Sequence, residues 1–213
     1  LTDNSALEDK LNPKTELYLV SFFGRVNYSY DNRYMFTATV RRDGSSKFQG
    51  KNRWGLFPSV AFGWNVANEE FLKDNGVLTT LKLRLSWGQT GNQEVVGNYD
   101  YKTTYYKNML GSYYMFGGQV YNPITAIGYN ADLRWETATT WNAGIDFGFL
   151  KDRITMGVDV YKREISDLIN HIPVAALGNL TNYLNTNIGN LESKGFEYEI
   201  NAMAIDTRDW TWS

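Results

Sequence analysis

Few residues in this 213-residue chain could carry out catalysis or bind a metal ion. The chain contains no cysteine, which excludes disulfides, thiol catalysis and thiolate metal sites, and a single histidine, His171. A Ser-His-Asp triad is a spatial arrangement that no sequence excludes, but no nucleophile-elbow motif is present. HExxH motifs, paired histidines, EF-hand loops and phosphate-binding loops are also absent. We therefore predict a protein that is not an enzyme and has no cofactor or metal site.

Tyrosine is the residue type that is concentrated in one region, between Gly88 and Arg134. Rigid aromatic rings stack on sugar rings or peptide side chains at low entropic cost, and their hydroxyl groups add hydrogen bonds. This pattern predicts a substrate-binding loop, although the same rings could instead pack the loops together or against a partner protein. The candidate substrate-binding residues are Tyr99, Tyr101, Tyr105, Tyr106, Tyr113, Tyr114 and Tyr121.

Alternating segments are the elements that must position this loop. In residues 21–48, apolar side chains such as Phe22 and Phe36 alternate with polar ones such as Arg25 and Thr39. Side chains of a strand point to opposite faces with period two, so the pattern predicts a hairpin over residues 19–42 with one apolar and one polar face. A charged loop of about a dozen residues is expected to begin at Arg41 and to end near Arg53. Similar segments predict an all-β, antiparallel up-and-down meander of about eight strands. The later strands are expected at residues 54–66, 81–87, 135–149, 154–160 and 196–202, with a last strand beginning at Trp210.

The connections between these strands alternate in length. The odd-numbered connections hold roughly three to fifteen residues, and the even-numbered ones hold roughly twelve to forty-five, far above a usual hairpin loop. In a meander the two sets lie at opposite ends of the sheet, and short turns opposite long loops are typical of an outer-membrane barrel. The turn at Asp31, Asn32 and Arg33 is then expected to face the periplasm. A soluble β-sandwich that displays aromatic binding loops is the alternative.

Composition is compatible with such a barrel. The mean hydropathy is −0.43, and no stretch approaches the roughly 18 apolar residues of a transmembrane helix. A barrel strand needs no such stretch, because only every second residue of the strand faces lipid. The net charge of −2 gives no reason to expect a nucleic-acid partner. The polar beginning and the strand-like end at Trp210 predict an internal fragment of a longer protein.

Charged side chains fall on the face opposite the apolar stripes. In a sandwich they would meet solvent, and in a wide barrel they would line a watery lumen or touch a plug. Basic residues there could guide substrate, although pairing with a plug or across strands is the more ordinary use. The predicted lumen-facing residues are Arg25, Arg41, Lys82 and Arg84.

Several segments are specific when they are taken together and in order. They are SFFGRVNYSYDNRYMFTATVRRDGSSKF, NRWGLFPSVAFGWNVANEEFL, LKLRLSWGQTGNQ, LRWETATTWNAGIDFGFLKDRITMGVDVYKREISDLI and NIGNLESKGFEYEI. These segments resemble the barrel region of SusC/RagA-type TonB-linked outer membrane proteins.

The resemblance implies that residues 1–213 are part of a transmembrane β-barrel of about 22 strands, whose plug domain and C-terminal strands are absent from this chain. It implies a Gram-negative outer-membrane location, contact with membrane lipid, and import of nutrients such as oligosaccharides or peptides. The implied partners are a SusD-like surface lipoprotein and the TonB-ExbB-ExbD complex, which would act through an N-terminal region missing from this chain.

Overall fold

The computed structural model describes residues 15–72, 76–107, 113–121, 124–175, 181–206 and 211–212. Within these residues, strands are joined by turns and by short 3-10 segments at Gly50–Arg53 and Val66–Asn68. The described part of the chain contains no helix long and apolar enough to cross a membrane. The strands in chain order are β1 (Leu19–Tyr30), β2 (Tyr34–Ser45), β3 (Trp54–Asn65), β4 (Leu78–Asn92), β5 (Thr104–Lys107), β6 (Tyr114–Phe116), β7 (Gln119–Tyr121), β8 (Ile124–Ile127), β9 (Glu136–Phe149), β10 (Ile154–Ser166), β11 (Ile169–Pro173), β12 (Tyr183–Asn187), β13 (Leu191–Ala202), β14 (Ile205–Asp206) and β15 (Thr211–Trp212).

The main sheet is a seven-stranded antiparallel meander. Its order is β1-β2-β3-β4-β9-β10-β13, so each inner strand pairs with the long strands before and after it in the chain, and β1 and β13 are the edges. This confirms the predicted fold class. The last predicted strand begins at Trp210, outside the described residues, and β15 pairs with β14 in a separate two-stranded ladder.

Tight reversals mark one end of the main sheet. Asp31 and Asn32 have φ angles of 50° and 51°, in the left-handed region that Asp and Asn tolerate better than most residues. Residues 150–153 make a reversal between β9 and β10 that is one residue longer than the three-residue reversal between β1 and β2. We call this end, which also includes residues 66–77, the turn end. The opposite end, with connections 46–53, 93–135 and 167–190, is the loop end.

Connections are generally longer at the loop end than at the turn end, as the sequence pattern predicts, but not every loop-end connection is longer. Strand β2 continues through the charged segment to Ser45, so the connection at 46–53 is shorter than the turn-end connection at 66–77. The other loop-end connections are long and contain the ladders β5–β8, β6–β7 and β11–β12. The predicted contrast therefore depends on these longer loops.

The register places the apolar stripes of the main sheet on one face. Phe36, Phe62 and Leu85 lie side by side across β2, β3 and β4, and the row continues through Ala143 and Val160 on β9 and β10. The four larger side chains of this row are between 39% and 55% exposed. No second large sheet covers this apolar face in the described residues. Such a continuous apolar surface is unfavourable in water but suits contact with lipid.

The buried hydrophobic cluster lies at the loop end of the sheet. Its central ring, Trp135, contacts Phe48 and Phe57 with centroid separations of 5.2 Å and 5.5 Å. The indole Nε1 donates to the Arg53 carbonyl at 3.2 Å, which satisfies the polar atom of the ring. The cluster joins all three loop-end connections to the sheet, and we call it the loop-end core. Its members are Phe48, Phe57, Val96, Leu133, Trp135 and Ile169.

Candidate functional site

The polar face carries an ion-pair cluster centred on Arg84 of β4. The Nε and Nη2 atoms of Arg84 donate to the two carboxylate oxygens of Asp146 on β9, each at 2.8 Å. Its Nη1 and Nη2 atoms also donate to Asp159 on β10, at 3.0 Å and 2.9 Å. Charge-assisted bidentate contacts of this kind are stronger than neutral hydrogen bonds. All three guanidinium nitrogens of Arg84 therefore already donate within the protein.

Gly144 allows Arg84 to reach a strand that is not its neighbour. Arg84, Gly144 and Asp159 lie directly opposite one another across β4, β9 and β10. The arginine side chain thus passes over Gly144 to reach Asp159. A Cβ atom on Gly144 would lie 2.8 Å from Arg84 Nη2 and would also overlap Asp159 Oδ1. A larger residue here would displace the ion pair.

Arg41 and Arg25 are held less completely. Arg41 donates from Nε to both carboxylate oxygens of buried Asp43, each at 2.8 Å, and its Nη2 lies 3.4 Å from Ser21 Oγ. Arg25 donates from Nε to Thr39 Oγ1 at 3.1 Å. The outer nitrogens of both guanidinium groups therefore retain donors that the described residues do not use.

The four predicted lumen-facing residues do share the polar face. Lys82 lies opposite Asp146 in the β4–β9 register but makes no hydrogen bond or ion pair with a residue that the structure describes. Pairing across strands thus accounts for Arg84 fully and for Arg25 in part. Arg41 pairs mainly with Asp43 on its own strand, and Lys82 is not accounted for at all. The assignment of this face to a lumen stays a prediction.

The predicted tyrosine site is divided into separate groups. Lys102 Nζ lies 5.0 Å from the ring centroid of Tyr99 and 5.9 Å from that of Tyr101, a cation–π geometry. The Tyr99 hydroxyl also accepts a hydrogen bond from the backbone N–H of Glu16 at 3.2 Å. Tyr105 lies on β5 and is 65% exposed. The side chain of Tyr106 lies outside the described residues.

The remaining tyrosines belong to the β6–β7 hairpin. The rings of Tyr114 and Tyr121 stack with a centroid separation of 5.3 Å, and Tyr113 is exposed immediately before β6. Gly117 and Gly118 have φ angles of 60° and 78°, as a two-residue hairpin turn requires. No ring contact in the described residues joins this hairpin to Tyr99 or the other tyrosines. Substrate binding by the seven tyrosines stays a prediction.

A polar network connects the two long loops. Asn185 on β12 donates to Asp100 Oδ2 at 2.7 Å, and its carbonyl accepts from Asn130 Nδ2 at 3.2 Å. His171 Nδ1 lies 3.0 Å from Asn185 Oδ1, and its ring stacks on Tyr183. The single histidine therefore takes part in loop packing. In the residues that the structure describes, no group of three His, Asp or Glu side chains is placed to hold a metal ion.

A partly exposed ion pair adds another connection at the loop end. Arg134 Nη2 lies 2.6 Å from Asp167 Oδ1, and this hydrogen bond lowers the pKa of Asp167 below its ordinary value. The side-chain amide of Asn187 donates to the carbonyls of both Arg134 and Asp167, each at 2.8 Å. The segments before β9 and after β10 are therefore fixed to β12.

At the turn end, Glu69 is the common acceptor. Its Oε1 accepts from the Tyr34 hydroxyl at 2.7 Å and from Trp64 Nε1 at 2.9 Å, while its Oε2 accepts from Arg33 Nη1 at 3.1 Å. The hydrogen bonds from Tyr34 and then Trp64 lower the pKa of Glu69. The two rings stack on the apolar face with their polar atoms directed at the turn. Aromatic rings at a membrane–water interface adopt this arrangement.

The main sheet has one apolar and one polar face, tight turns at one end and folded loops at the other. Together these features define part of the wall of an outer-membrane β-barrel. The chain belongs to the family of TonB dependent receptor-like β-barrels, whose model matches residues 2–213. It is accordingly an outer membrane protein of the SusC/RagA type, in a family of receptors and transporters rather than enzymes.

Individual relatives support this assignment. The chain is 50% identical over 194 residues to the TonB-dependent receptor SusC of Bacteroides thetaiotaomicron, a match that covers 91% of this chain and 19% of the relative. It is 39% identical over 199 residues to the TonB-dependent receptor P3 of Formosa agariphila, covering 93% and 19%. The chain therefore spans about a fifth of the length of the curated relatives that it matches.

Solved structures agree on the fold. The RagAB peptide transporter superposes with a TM-score of 0.78 at 28% identity, over 92% of this chain and 21% of that chain. The siderophore receptor PirA of Pseudomonas aeruginosa gives a TM-score of 0.56 at 14% identity, over 86% and 31%, and shares the fold alone. These matches and the uncovered apolar face favour the barrel over the β-sandwich alternative.

Proposed function

We propose that this chain is part of the barrel of a TonB-dependent transporter that imports nutrients such as oligosaccharides or peptides across the outer membrane. The observation that carries the proposal is the 50% identity to SusC over 91% of the chain. The similarity to the RagAB peptide transporter supports the inclusion of peptides among the substrates. The seven tyrosines of the long loop are the proposed substrate contacts, and the polar face is the proposed lumen wall.

The transporter requires more strands than this chain supplies. β1 and β13 are the edges of the main sheet, and each pairs with one strand of it in the described residues. An unpaired edge in lipid would leave backbone N–H and C=O groups without partners, at a cost of several kcal/mol each. Further strands must therefore pair with β1 and β13, and residues 1–213 are proposed to be one portion of a barrel of about 22 strands.

Energy and partner binding would come from outside this chain. We assign energy transduction to a TonB-ExbB-ExbD complex that acts through an N-terminal region of the whole transporter. A SusD-like surface lipoprotein is the proposed partner above the loop end. The exposed β6–β7 hairpin, with Met115 and Phe116 at 66% and 73% exposure, supports the presence of a contact surface on these loops.

The direct test of this proposal is uptake by the bacterium that carries the full-length gene. Deletion of the gene should abolish growth on one class of oligosaccharide or peptide, and the full-length gene should restore it. Loss of TonB should have the same effect as loss of the transporter, because the barrel has no energy source of its own. Growth of the deletion strain on every oligosaccharide and peptide offered would contradict the proposal.

A further inference from the structure

The polar face contains a pocket of about 640 Å³ bounded by β2, β3, β4 and β9. We propose that this inner-wall pocket binds an uncharged, hydroxyl-rich part of the substrate, such as a neutral sugar residue. The inference rests on the proposed import function, because it requires substrate to reach the polar face. The side chains that give the pocket its polar lining include Thr37, Thr39, Ser59, Ser86, Thr90 and Thr140.

Most of these hydroxyl groups have no hydrogen-bond partner in the part of the chain that the structure describes. Thr37 donates to Asn27 and Thr39 accepts from Arg25. The other hydroxyls make no hydrogen bond with a residue that the structure describes; they are those of Ser59, Ser86, Thr90 and Thr140. Each hydroxyl can donate and accept at once, as a sugar hydroxyl also can, so the two sets of groups are complementary.

The charges of the pocket favour a neutral ligand. Arg41 and Asp43 both line it and neutralise each other through the two 2.8 Å contacts to Arg41 Nε. The guanidinium is thereby fixed by its inner nitrogen, while Nη1 has no partner among the described residues and can donate to a ligand oxygen. A charged peptide terminus would find no unpaired opposite charge in the pocket.

One side of the pocket is rigid and apolar. Phe57 lines it and is only 6% exposed, because its ring also packs against Trp135 in the loop-end core. Because so little of the ring is exposed, Phe57 closes this side of the pocket without offering a ligand an open ring face. Gly88 forms another part of the lining, and a Cβ atom there would lie 2.9 Å from the Ser59 Cβ. The pocket is therefore kept open by residues that have little freedom to move into it.

The test uses the full-length transporter in detergent, with neutral hexasaccharides of differing linkage and charged or uncharged hexapeptides as probes. The double variant Ser86→Ala, Thr140→Val removes two free hydroxyls with almost no change of shape. Calorimetry should show that one neutral hexasaccharide binds and that the double variant weakens its binding about tenfold, as the loss of two hydrogen bonds requires. Thr155→Val, on the same face near the turn end, is the matched control and should bind as the unmodified protein does.

The alternative outcomes are distinct. An unchanged hexasaccharide affinity in the double variant would overturn the pocket as a site. A change in melting temperature without a change in affinity would also overturn it, because another segment of the polypeptide would then occupy the pocket. Peptide binding that weakens in the double variant would overturn the sugar assignment while leaving the import function intact. Absence of uptake of every probe by cells would count against the import function itself.

Discussion

The turn end and the loop end of the main sheet are stabilised in different ways. At the turn end, Glu69 accepts three hydrogen bonds from side chains that lie on or beside the neighbouring strands. At the loop end, Phe48, Trp135 and Ile169 pack in a desolvated core that joins three separate connections. A small number of directional hydrogen bonds thus stabilises the turn end, whereas burial of apolar side chains stabilises the long loops.

The difference follows from what each end must bring together. The turn end joins adjacent strands, so hydrogen bonds between residues close in space and register are sufficient. The loop end must hold segments as distant in sequence as Phe48 and Ile169, and closing long loops costs entropy that apolar burial has to offset.

Trp135→Ala should have the largest effect. Truncating a buried tryptophan typically costs about 3–5 kcal/mol, and the loss should appear as faster hydrogen exchange in all three loop-end connections. The turn end should keep its protection, because no part of the Glu69 network contacts the core. Phe71→Ala, which truncates a ring that is 73% exposed at the turn end, is the control. Equal loosening of both ends in Trp135→Ala would break the comparison.

Gly144→Ala should have an intermediate effect in the middle of the sheet. The added methyl group would displace the Arg84–Asp159 contact and destabilise the barrel by about 1–3 kcal/mol. Gly157→Ala is the matched control, because a Cβ there meets only Asp146 Oδ1, at an ordinary 3.6 Å. Thermal unfolding of the two full-length variants, followed by heat-dependent gel mobility, measures the difference. Identical melting temperatures would show that the ion pair does not require a glycine.

Glu69→Gln should have a smaller effect, confined to the turn end. The neutral amide cannot form an ion pair with Arg33, and one of its two acceptor positions becomes a donor. Hydrogen exchange should rise a few-fold in residues 31–34 and 64–69 and stay constant at the loop end. The neighbouring exposed residue supplies the control Glu70→Gln, which should change neither end. A response of the loops to Glu69→Gln would contradict the separation of the two ends.

Acidification should have the smallest of these four effects, and it should act on the stability of the turn end. Hydrogen bonds from Tyr34 and Trp64 place the pKa of Glu69 below its ordinary value of 4.5. Its contribution to stability is therefore complete above that ordinary value and is lost as pH falls through the lowered pKa. Turn-end protection factors, corrected for intrinsic exchange, should decrease over this acidic range in the unmodified protein and stay level in Glu69→Gln. The same decrease in both proteins would assign the acid response to another group.

Sequence alternation predicted the long strands and their two faces because the period of a strand is imposed locally. It did not predict that β2 runs to Ser45, since Arg41, Arg42 and Asp43 have the composition of a loop. It also did not identify Glu69 as an acceptor or Asp146 and Asp159 as the partners of Arg84. Those contacts depend on register between distant segments. The only local signal is Gly144, a glycine inside an alternating strand, and it bears on the Arg84 contacts alone.

The tyrosine loop shows the same limit. Its composition indicates a binding function, but the grouping of its rings depends on the ladders β5–β8 and β6–β7, which carry too few residues for a periodic signal. The sequence did not predict the loop-end core either, because Phe48, Val96 and Leu133 lie in segments with no strand pattern. Tertiary packing, rather than local preference, determines both features.

The central claim is that alternate residues of the main sheet face lipid and a watery lumen. Leu85 and Ser86 are neighbours on β4 with opposite orientations, and the chain contains no cysteine of its own. A nitroxide label on Leu85→Cys of the full-length protein in lipid vesicles should collide mainly with oxygen, which concentrates in the bilayer. The same label on Ser86→Cys should collide mainly with a water-soluble nickel complex. Equal access of the nickel complex to both labels would contradict the claim.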